Sequence, residues 1–220
     1  MTGELQKRIA YSFQDAGLLK LALTHPSVAN AKSNQRLEFL GDAILGAVVA
    51  RIVYDLYPDE KEGELARRHA ALVRGETLTQ VARDIELGEA LQIGTSETQS
   101  QGRKNASNLE DALEALIGAI YLDGGMSAAE QFITARWTEM SRKMETPPKD
   151  AKTSLQEWAQ ARGLPVPLYR LAETAGPAHA PEFTIEVTVQ GYGTKAAKAT
   201  SKRLAEQMAA TELMEALQHV

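Results

Sequence analysis

Apolar and polar residues alternate with a helical period through the first two thirds of the chain. Positions three or four residues apart repeatedly carry Leu, Ile, Val or Ala, as in amphipathic helices. The predicted helices span residues 18–25, 36–57, 64–85, 109–122 and 127–144. Turn signals separate them at Tyr57-Pro58, across 94–107 and at Asp123-Gly124-Gly125. This part of the chain is therefore predicted to be all-α.

The pattern changes after residue 150. Residues 184–189 (TIEVTV) alternate with a period of two, which predicts a strand with one solvent-exposed side. The elements predicted here are a helix at 153–162, strands at 168–173, 183–190 and 195–199, and a helix at 201–217. This order, α-β-β-β-α, predicts a small α+β domain.

Residues 145–150 (ETPPKD) divide the two patterns, because paired prolines among charged residues suit neither a helix nor a strand. We therefore expect an all-α domain over residues 1–146, a linker at 147–151 and an α+β domain over 152–220. A chain of 220 residues is long enough for both domains to bury a core.

Composition narrows the classes of protein to which this chain can belong. The absence of cysteine excludes disulfides, thiolate zinc sites and cysteine nucleophiles, and it is consistent with a reducing cytoplasm. Uncharged runs are far shorter than the roughly 18 residues of a membrane span. The N-terminus also lacks the apolar segment of a signal peptide, and nucleotide-binding glycine loops are absent. We expect a cytoplasmic protein without a membrane partner or an organic cofactor.

The formal charge of −5 is unevenly distributed along the chain. Residues 1–150 hold 17 basic and 22 acidic side chains, whereas residues 151–220 hold 7 of each. Within the second domain, residues 191–205 carry no acid and four cations, Lys195, Lys198, Lys202 and Arg203. An acidic total argues against a nucleic-acid partner, but this basic segment supplies the cations that phosphate binding requires.

Two helices carry carboxylates where apolar residues are expected. Residues 37–50 (LEFLGDAILGAVVA) contain only two charged side chains, Glu38 and Asp42, which share a helical face. Asp111 and Glu114 precede a second apolar run. Burying like charges without a partner costs several kcal/mol, so a bound cation is the simplest explanation, and the alternative is that these helix ends are exposed to water. Four carboxylates without a sulfur ligand favour Mg²⁺ or Mn²⁺.

Ser107 and Glu110 match a capping box, in which the serine caps the helix and the glutamate bonds back to its amide. This gives Glu110 a structural role and leaves Asp111 and Glu114 as the acidic pair of this helix. The four histidines do not form the Glu-x-x-His pairs of a diiron bundle.

Four motifs then occur in the order found in one enzyme family. They are LTHPS at 23–27, NQRLEFLGDAILG at 34–46, EGELARRHAALV at 62–73 and DALEALIGAIYLDGG at 111–125. In these motifs the chain resembles the ribonuclease III family, and its second domain is similar to a double-stranded-RNA-binding domain. The resemblance implies a Mg²⁺-dependent endonuclease that cuts both strands of duplex RNA and leaves 5′-phosphate and 3′-hydroxyl ends. It further implies processing of ribosomal RNA precursors and of other structured transcripts, including mRNA and tRNA.

The resemblance also implies roles for particular residues. The implied metal ligands are Glu38, Asp42, Asp111 and Glu114, and Asp42 and Glu114 are implied to lie closest to the chemistry. The family acts as a homodimer, so we expect Phe39 to be either a dimer contact or an ordinary core aromatic. Glu62 matches an acid near the scissile phosphate, although acids at 60 and 64 also fit a solvated charge run. Gln35 departs from the glutamate of many relatives and is not counted as a ligand.

In the second domain the resemblance implies three RNA-contacting regions. They are the polar face of the first helix, a loop between strands and the basic segment at the last helix, with Thr153, Gln156, Glu157, Gln160, His179, Lys195, Lys198, Lys202 and Arg203. Duplex RNA offers a shallow minor groove and flanking phosphates, and His179 by itself also fits a plain loop histidine. Ala197, Ala199 and Glu206 depart from the glycines and the basic residue common in such domains. We therefore expect modest, salt-sensitive binding.

Two other functions fit parts of this pattern. A non-catalytic RNA-binding relative would keep the fold, but the presence of all four carboxylates argues against it. A metal-dependent hydrolase of small phosphoesters would leave the second domain without a purpose. An active endonuclease for double-stranded RNA accounts for both domains.

Overall fold

The chain folds into two compact units, residues 1–148 and residues 149–220. The computed structural model describes residues 2–95, 101–148, 150–177 and 181–217. Within these ranges, every helix falls short of the length or the apolar character needed to cross a bilayer.

The first unit is helical. In the described residues its helices are α1 (Thr2–Ile9), α2 (Ala16–Ala22), α3 (Gln35–Leu56), α4 (Glu62–Leu72), α5 (Gly75–Asp84), α6 (Leu87–Ala90) and α7 (Ala106–Arg142). A short 3₁₀ helix at Gly102–Lys104 precedes α7. The predictions for α2 and α3 agree with the structure to within a few residues, whereas the hydrophobic pattern predicts no helix at α1.

Helices α3 and α7 form the centre of this unit because both are apolar on nearly every side. Val49 of α3 and Leu116 of α7 are fully buried in the same core. Trp137, near the end of α7, is also fully buried, and its Nε1 donates a hydrogen bond to the carbonyl of Leu72 at 2.9 Å. The two helices that carry the predicted carboxylates are therefore held together by the main core of the unit.

The predicted helix at 64–85 is wrong, because the structure divides this segment into α4 and α5. The break falls at Arg74, whose extended backbone (φ −75°, ψ 152°) starts a new helix. The turn predicted at 123–125 is a kink within α7 at Gly125, where φ is +76°. Glycine adopts a positive φ without the steric penalty that other residues carry.

The second unit packs two helices on a three-stranded antiparallel sheet. Its elements are α8 (Ala151–Gln160), β1 (Leu168–Ala175), β2 (Glu182–Val189), β3 (Gly193–Ala199) and α9 (Lys202–Leu217), and the strand order is β1-β2-β3. Val187 of β2 pairs with Tyr169 of β1 and with Lys195 of β3. The same valine is buried with Leu155 of α8 and Leu213 of α9. The predicted fold class, a helical domain followed by an α-β-β-β-α domain, is confirmed.

Asp150 fastens the start of α8 to α9. Its Oδ1 accepts a hydrogen bond from the amide of Thr153 at 2.9 Å, so it is the helix N-cap. Its Oδ2 accepts from Nε2 of Gln207 at 2.6 Å, and Oε1 of Gln207 accepts from the amide of Ala151 at 3.0 Å. Helix α8 therefore begins two residues before the predicted start, and its N-terminus is positioned by α9.

Candidate active site and nucleic-acid interface

Two glycines allow α3 and α7 to touch through their backbones. A Cβ built on Gly41 would lie 1.7 Å from the carbonyl oxygen of Glu114, and one built on Gly118 would lie 2.3 Å from that of Leu37. A side chain cannot occupy either position, so the close approach of the two helices depends on both glycines. This contact falls at the level of the predicted carboxylates.

The four predicted carboxylates lie on these two helices, Glu38 and Asp42 on α3 and Asp111 and Glu114 on α7. Asp42 is exposed, whereas the other three are half-buried. Burial and then repulsion from neighbouring carboxylates, Asp42 first, raise the pKa of Glu114 to about 8. Burial and the charges of Asp111 and Glu110 also raise the pKa of Glu38. The structure thus brings the four side chains close enough for their charges to interact.

A fifth carboxylate, Glu110, belongs to the same cluster. The predicted capping box is wrong, because the N-cap of α7 is Asn105. Its Oδ1 accepts hydrogen bonds from the amides of Ser107 at 2.9 Å and Asn108 at 3.3 Å. Ser107 is therefore inside the helix and Glu110 has no capping role. Burial, followed by the charge of a neighbouring carboxylate, raises the pKa of Glu110. The sequence does contain a sign of this membership, because Glu110 precedes Glu114 by four residues and the two side chains therefore share one face of the helix.

The donor set of this cluster fits a hard divalent cation. All five side chains offer only oxygen, and in the described part of the chain none of them has a salt-bridge or hydrogen-bond partner. A divalent cation would offset this unbalanced negative charge. Across the described ranges, however, no three His, Asp or Glu side chains converge closely enough to hold one ion. The residues supply the charge and donor chemistry of a metal site without a preformed coordination geometry.

His25 lies beside the cluster, although the sequence pattern assigns it no role. Burial raises the pKa of Asp111, and the charge of His25 partly offsets that rise. The imidazole is oriented by Ser27, whose amide donates to Nδ1 at 3.1 Å and whose hydroxyl lies 2.8 Å from the same nitrogen. The amide of Gly94 donates to the Ser27 hydroxyl oxygen at 2.8 Å. These contacts fix the LTHPS segment at 23–27 against the backbone at Gly94.

Phe39 and Glu62 are both on the surface of the first unit. Phe39 is 80% exposed, so its interpretation as a core aromatic is wrong. Glu62, the first residue of α4, is exposed and has no partner among the described residues. The two flanking acids have partners. Glu60 forms a salt bridge with the buried Arg68 at 2.6 Å, and Glu64 accepts a hydrogen bond from a backbone amide at 2.9 Å. The acids at 60, 62 and 64 are therefore not all free in solvent, as a solvated charge run would require.

The predicted RNA contacts that the structure describes are all exposed. They are Thr153, Gln156, Glu157 and Gln160 on α8, Lys195 and Lys198 on β3, and Lys202 and Arg203 at the start of α9. His179 lies outside the described residues. Nζ of Lys198 is 3.9 Å from a carboxylate oxygen of Glu173, and Nζ of Lys202 is 5.7 Å from the ring centre of Phe183. This unit presents a polar helix face, on α8, and a basic helix end, on α9, to solvent.

The three departures from the common pattern of such domains have structural explanations. Ala197 and Ala199 are buried beneath the helices, because alternate residues of β3 face the same side of the sheet. Glu206 forms a salt bridge with Lys152 at 2.6 Å. Nζ of Lys152 also lies 4.6 Å from the ring centre of Tyr169. The negative charge of Glu206 is thus offset within the unit.

Comparison with known proteins gives matches to both units. Residues 15–140 match the family model described as ribonuclease-III-like, and residues 151–217 match the double-stranded RNA binding motif. Ribonuclease 3 of Wolbachia pipientis wMel is 49% identical over 96% of this chain and 94% of the relative. Ribonuclease 3 of Ehrlichia ruminantium (strain Gardel) is 45% identical over 97% and 96%. A solved nuclease domain of ribonuclease III from Campylobacter jejuni is 37% identical over 64% of this chain and 98% of that one, with a TM-score of 0.61.

These matches agree with the geometry of each unit. The helical unit that carries the carboxylates corresponds to the nuclease domain, and the α-β-β-β-α unit corresponds to the RNA-binding motif. Enzymes of this family are metal-dependent nucleases. The chain therefore belongs to the ribonuclease III family and is an endoribonuclease specific for double-stranded RNA.

Proposed function

We propose that this enzyme hydrolyses duplex RNA with Mg²⁺ bound by Glu38, Asp42, Asp111 and Glu114, and that Mn²⁺ can substitute. The observation that carries the proposal is that the charges of these oxygen donors on α3 and α7 interact, while none of them forms a salt bridge with a basic side chain in the described residues. Mg²⁺ prefers carboxylate oxygens. The pKa of Glu114, raised to about 8, is the expected property of a crowded acidic site that a cation would relieve.

The acids hold different positions relative to the substrate. When bound, Mg²⁺ lowers the pKa of water and stabilises charge on phosphoryl oxygens. We assign both Asp42 and Glu114 to the chemistry itself, exposed Asp42 on α3 and half-buried Glu114 on α7, as the two ligands closest to the scissile phosphate. Exposed Glu62 at the start of α4 is assigned to the neighbourhood of the substrate. Attack of water on phosphorus breaks the bond to O3′, which leaves a 5′-phosphate and, after protonation of O3′, a 3′-hydroxyl.

The second unit supplies most of the affinity for duplex RNA in this proposal. The polar face of α8, with Thr153, Gln156, Glu157 and Gln160, contacts 2′-hydroxyls and base edges in a minor groove. Lys202 and Arg203 contact phosphates at the start of α9, where free amides and the helix dipole also favour negative charge. Lys195 and Lys198 extend this basic surface, and His179 is assigned to the neighbouring minor groove.

We also propose a homodimer in which each subunit cleaves one strand. Phe39 is 80% exposed beside Glu38, and a large exposed apolar side chain is a suitable interface residue. The solved Campylobacter jejuni nuclease domain has a region described as involved in dimer formation, which supports the same arrangement. Light scattering tests it: the wild type should have twice the mass of the 23.9 kDa chain, and Phe39→Ser should shift the equilibrium to monomer.

The proposed substrates are precursors of ribosomal RNA, together with structured mRNA and tRNA transcripts, processed in the cytoplasm. Mapping the ends produced from a long duplex, with and without a chelator, tests the end chemistry and the need for a metal. Products bearing 5′-hydroxyl and 3′-phosphate ends, or full cleavage in the chelator, would refute this chemistry.

The decisive variant is Glu114→Gln, which keeps the size of the side chain and removes its charge. We expect it to lose cleavage of a long duplex RNA in Mg²⁺ while its affinity in a gel-shift assay stays close to that of the wild type. Retained turnover would refute the metal assignment. Deletion of residues 151–220 should weaken binding more than the single-turnover rate at saturating enzyme, and unchanged affinity would refute the role of the second unit.

A further inference from the structure

Glu110 is placed to act with the proposed metal ligands rather than as a helix cap. It precedes Glu114 by four residues on α7, so the two side chains are neighbours on one face of the helix. The cap of α7 is supplied by Asn105, which leaves the Glu110 carboxylate uncommitted.

Gly75 makes room for this carboxylate. A Cβ built on Gly75 would lie 2.4 Å from Oε2 of Glu110 and 2.8 Å from both Cδ and Oε1. The carboxylate therefore rests directly on the backbone at the first residue of α5. An alanine at this position would displace it, because the end of a flexible side chain moves more easily than two packed helices.

A purely structural role for Glu110 would be to interact with the positive N-terminus of α5. In the described residues, however, Glu110 accepts no hydrogen bond from α5 and forms no salt bridge. On α7 the charged side chains next to it along the chain are those of Asp111 and Glu114, both acids. A bound divalent cation would offset like charges placed in this way.

We propose that Glu110 is a fifth acid of the metal site, a positioning residue that raises the affinity of the site for a divalent cation and whose carboxylate is seated on Gly75. The inference rests on the proposed metal role of Glu114. The position of Glu110 on α7 and its contact with Gly75 support its assignment to the metal site. Gly75 is assigned the role of leaving space for the Glu110 carboxylate.

The test is a titration of Mn²⁺ into the full chain without RNA, followed by calorimetry, with the melting temperature of the metal-free protein measured in parallel. Glu110→Gln should weaken Mn²⁺ binding about 3- to 10-fold and raise the metal-free melting temperature, because it removes repulsion. Gly75→Ala keeps the charge but moves it, so it should weaken binding by a smaller factor. Glu130→Gln, on an exposed part of the same helix, controls for the loss of one negative charge.

The inference is overturned if Glu110→Gln and Glu130→Gln bind Mn²⁺ equally well. A lower metal-free melting temperature for Glu110→Gln with unchanged Mn²⁺ affinity would assign Glu110 to α5 alone and would also overturn it. Glu114→Gln separates the two proposals in the same assay. Wild-type Mn²⁺ binding by Glu114→Gln refutes the metal site as a whole, whereas weak binding by Glu114→Gln and normal binding by Glu110→Gln refutes only the fifth acid.

Discussion

Gly41 of α3 lies against the backbone carbonyl of Glu114 on α7, with no space for a side chain between them. A Cβ on Gly41 would be 1.7 Å from that oxygen and 2.9 Å from the amide nitrogen of Gly118. Both obstacles are backbone atoms of a helix, so neither can rotate away. Because Asp42 directly follows Gly41, the same contact sets the separation of the acids contributed by the two helices.

We expect Gly41→Ala to force α3 and α7 apart. The free energy of unfolding should fall by about 1–3 kcal/mol or more, as for other overpacked sites, and RNA cleavage should fall with it because the carboxylates separate. Urea denaturation measures the first effect. In a Trp158→Phe background, Trp137 is the one remaining tryptophan, and it reports on the first unit alone.

Gly46→Ala is the matched control for this prediction. Gly46 lies on the same helix, but a Cβ there would meet its nearest atom, Nε2 of His69, at an ordinary 3.9 Å. Alanine favours a helix over glycine by about 1 kcal/mol, so this variant should be equally or more stable and fully active. Equal losses in Gly41→Ala and Gly46→Ala would contradict the close-contact explanation.

The sequence predicts the helix that carries Gly41 and Gly46, but it does not predict which of the two glycines contacts a neighbouring helix. The apolar run of α3 predicts a buried helix, and the i, i+4 spacing of Glu38 and Asp42 predicts a shared face. Which residues of α7 meet that face depends on how two helices cross, and local spacing carries no such information. The backbone contact at Gly41 was therefore unpredictable, although both helices were predicted.

A second prediction concerns pH and the carboxylate at the kink of α7. Asp123 accepts three hydrogen bonds, from the hydroxyl of Tyr11 at 2.7 Å and from the amides of Gln14 at 2.9 Å and Asp15 at 2.8 Å. Burial alone would raise the pKa of Asp123, but these hydrogen bonds outweigh it and hold the pKa below its usual range. A carboxylate of this kind stabilises the folded state above its unfolded pKa of about 3.9, and this stability is lost as the pH falls through the folded value.

Asp123→Asn should therefore lower the free energy of unfolding at pH 7 by about 1 kcal/mol, since the site is partly exposed. It should also flatten the decline of stability in acid below about pH 4. Urea denaturation of the first unit at a series of pH values measures both effects. Tyr11→Phe removes one of the three donors and should give an intermediate curve. An acid decline as steep in Asp123→Asn as in the wild type would contradict this role.

The burial of Arg68 is another feature that the sequence does not predict. Its motif, EGELARRHAALV, suggests a charged helix surface, yet the side chain is 1% exposed. The guanidinium forms two hydrogen bonds with Glu60, at 2.6 and 2.8 Å, and donates to the carbonyl of Met144. It also lies 3.6 Å from the ring centre of Tyr57. The carbonyl of Met144 is 76 residues away along the chain, and a charge pattern cannot indicate which of several arginines reaches such a partner and is buried.

The third prediction is that Arg68→Met destabilises the first unit strongly. Removing one partner of a buried ion pair leaves the other uncompensated and costs about 3–5 kcal/mol. Arg68→Met/Glu60→Gln should lose less than Arg68→Met alone, because no unpaired charge is left. The same urea denaturation measures both. If the double variant is the less stable of the two, uncompensated charge is not the cause.

The last prediction concerns the balance of charge beside the proposed phosphate contacts. Glu206 lies one helical turn after Lys202 and Arg203 on α9, and its salt bridge with Lys152 offsets its charge. Lys152→Ala should therefore weaken duplex RNA binding about 3- to 10-fold in low salt, because the unpaired carboxylate repels phosphate. Lys152→Ala/Glu206→Gln should restore most of this affinity, as measured by filter binding over a range of salt concentrations.

Arg170 and Glu186 provide a matched control, since they form a salt bridge at the same 2.6 Å on the sheet, between β1 and β2. Breaking that pair with Arg170→Ala should leave RNA affinity and its salt dependence unchanged. If Lys152→Ala and Lys152→Ala/Glu206→Gln bind equally weakly, Lys152 contacts the RNA itself and does not act through Glu206. The two outcomes differ in the salt series, because loss of a direct phosphate contact lowers the slope of log affinity against log salt by about one.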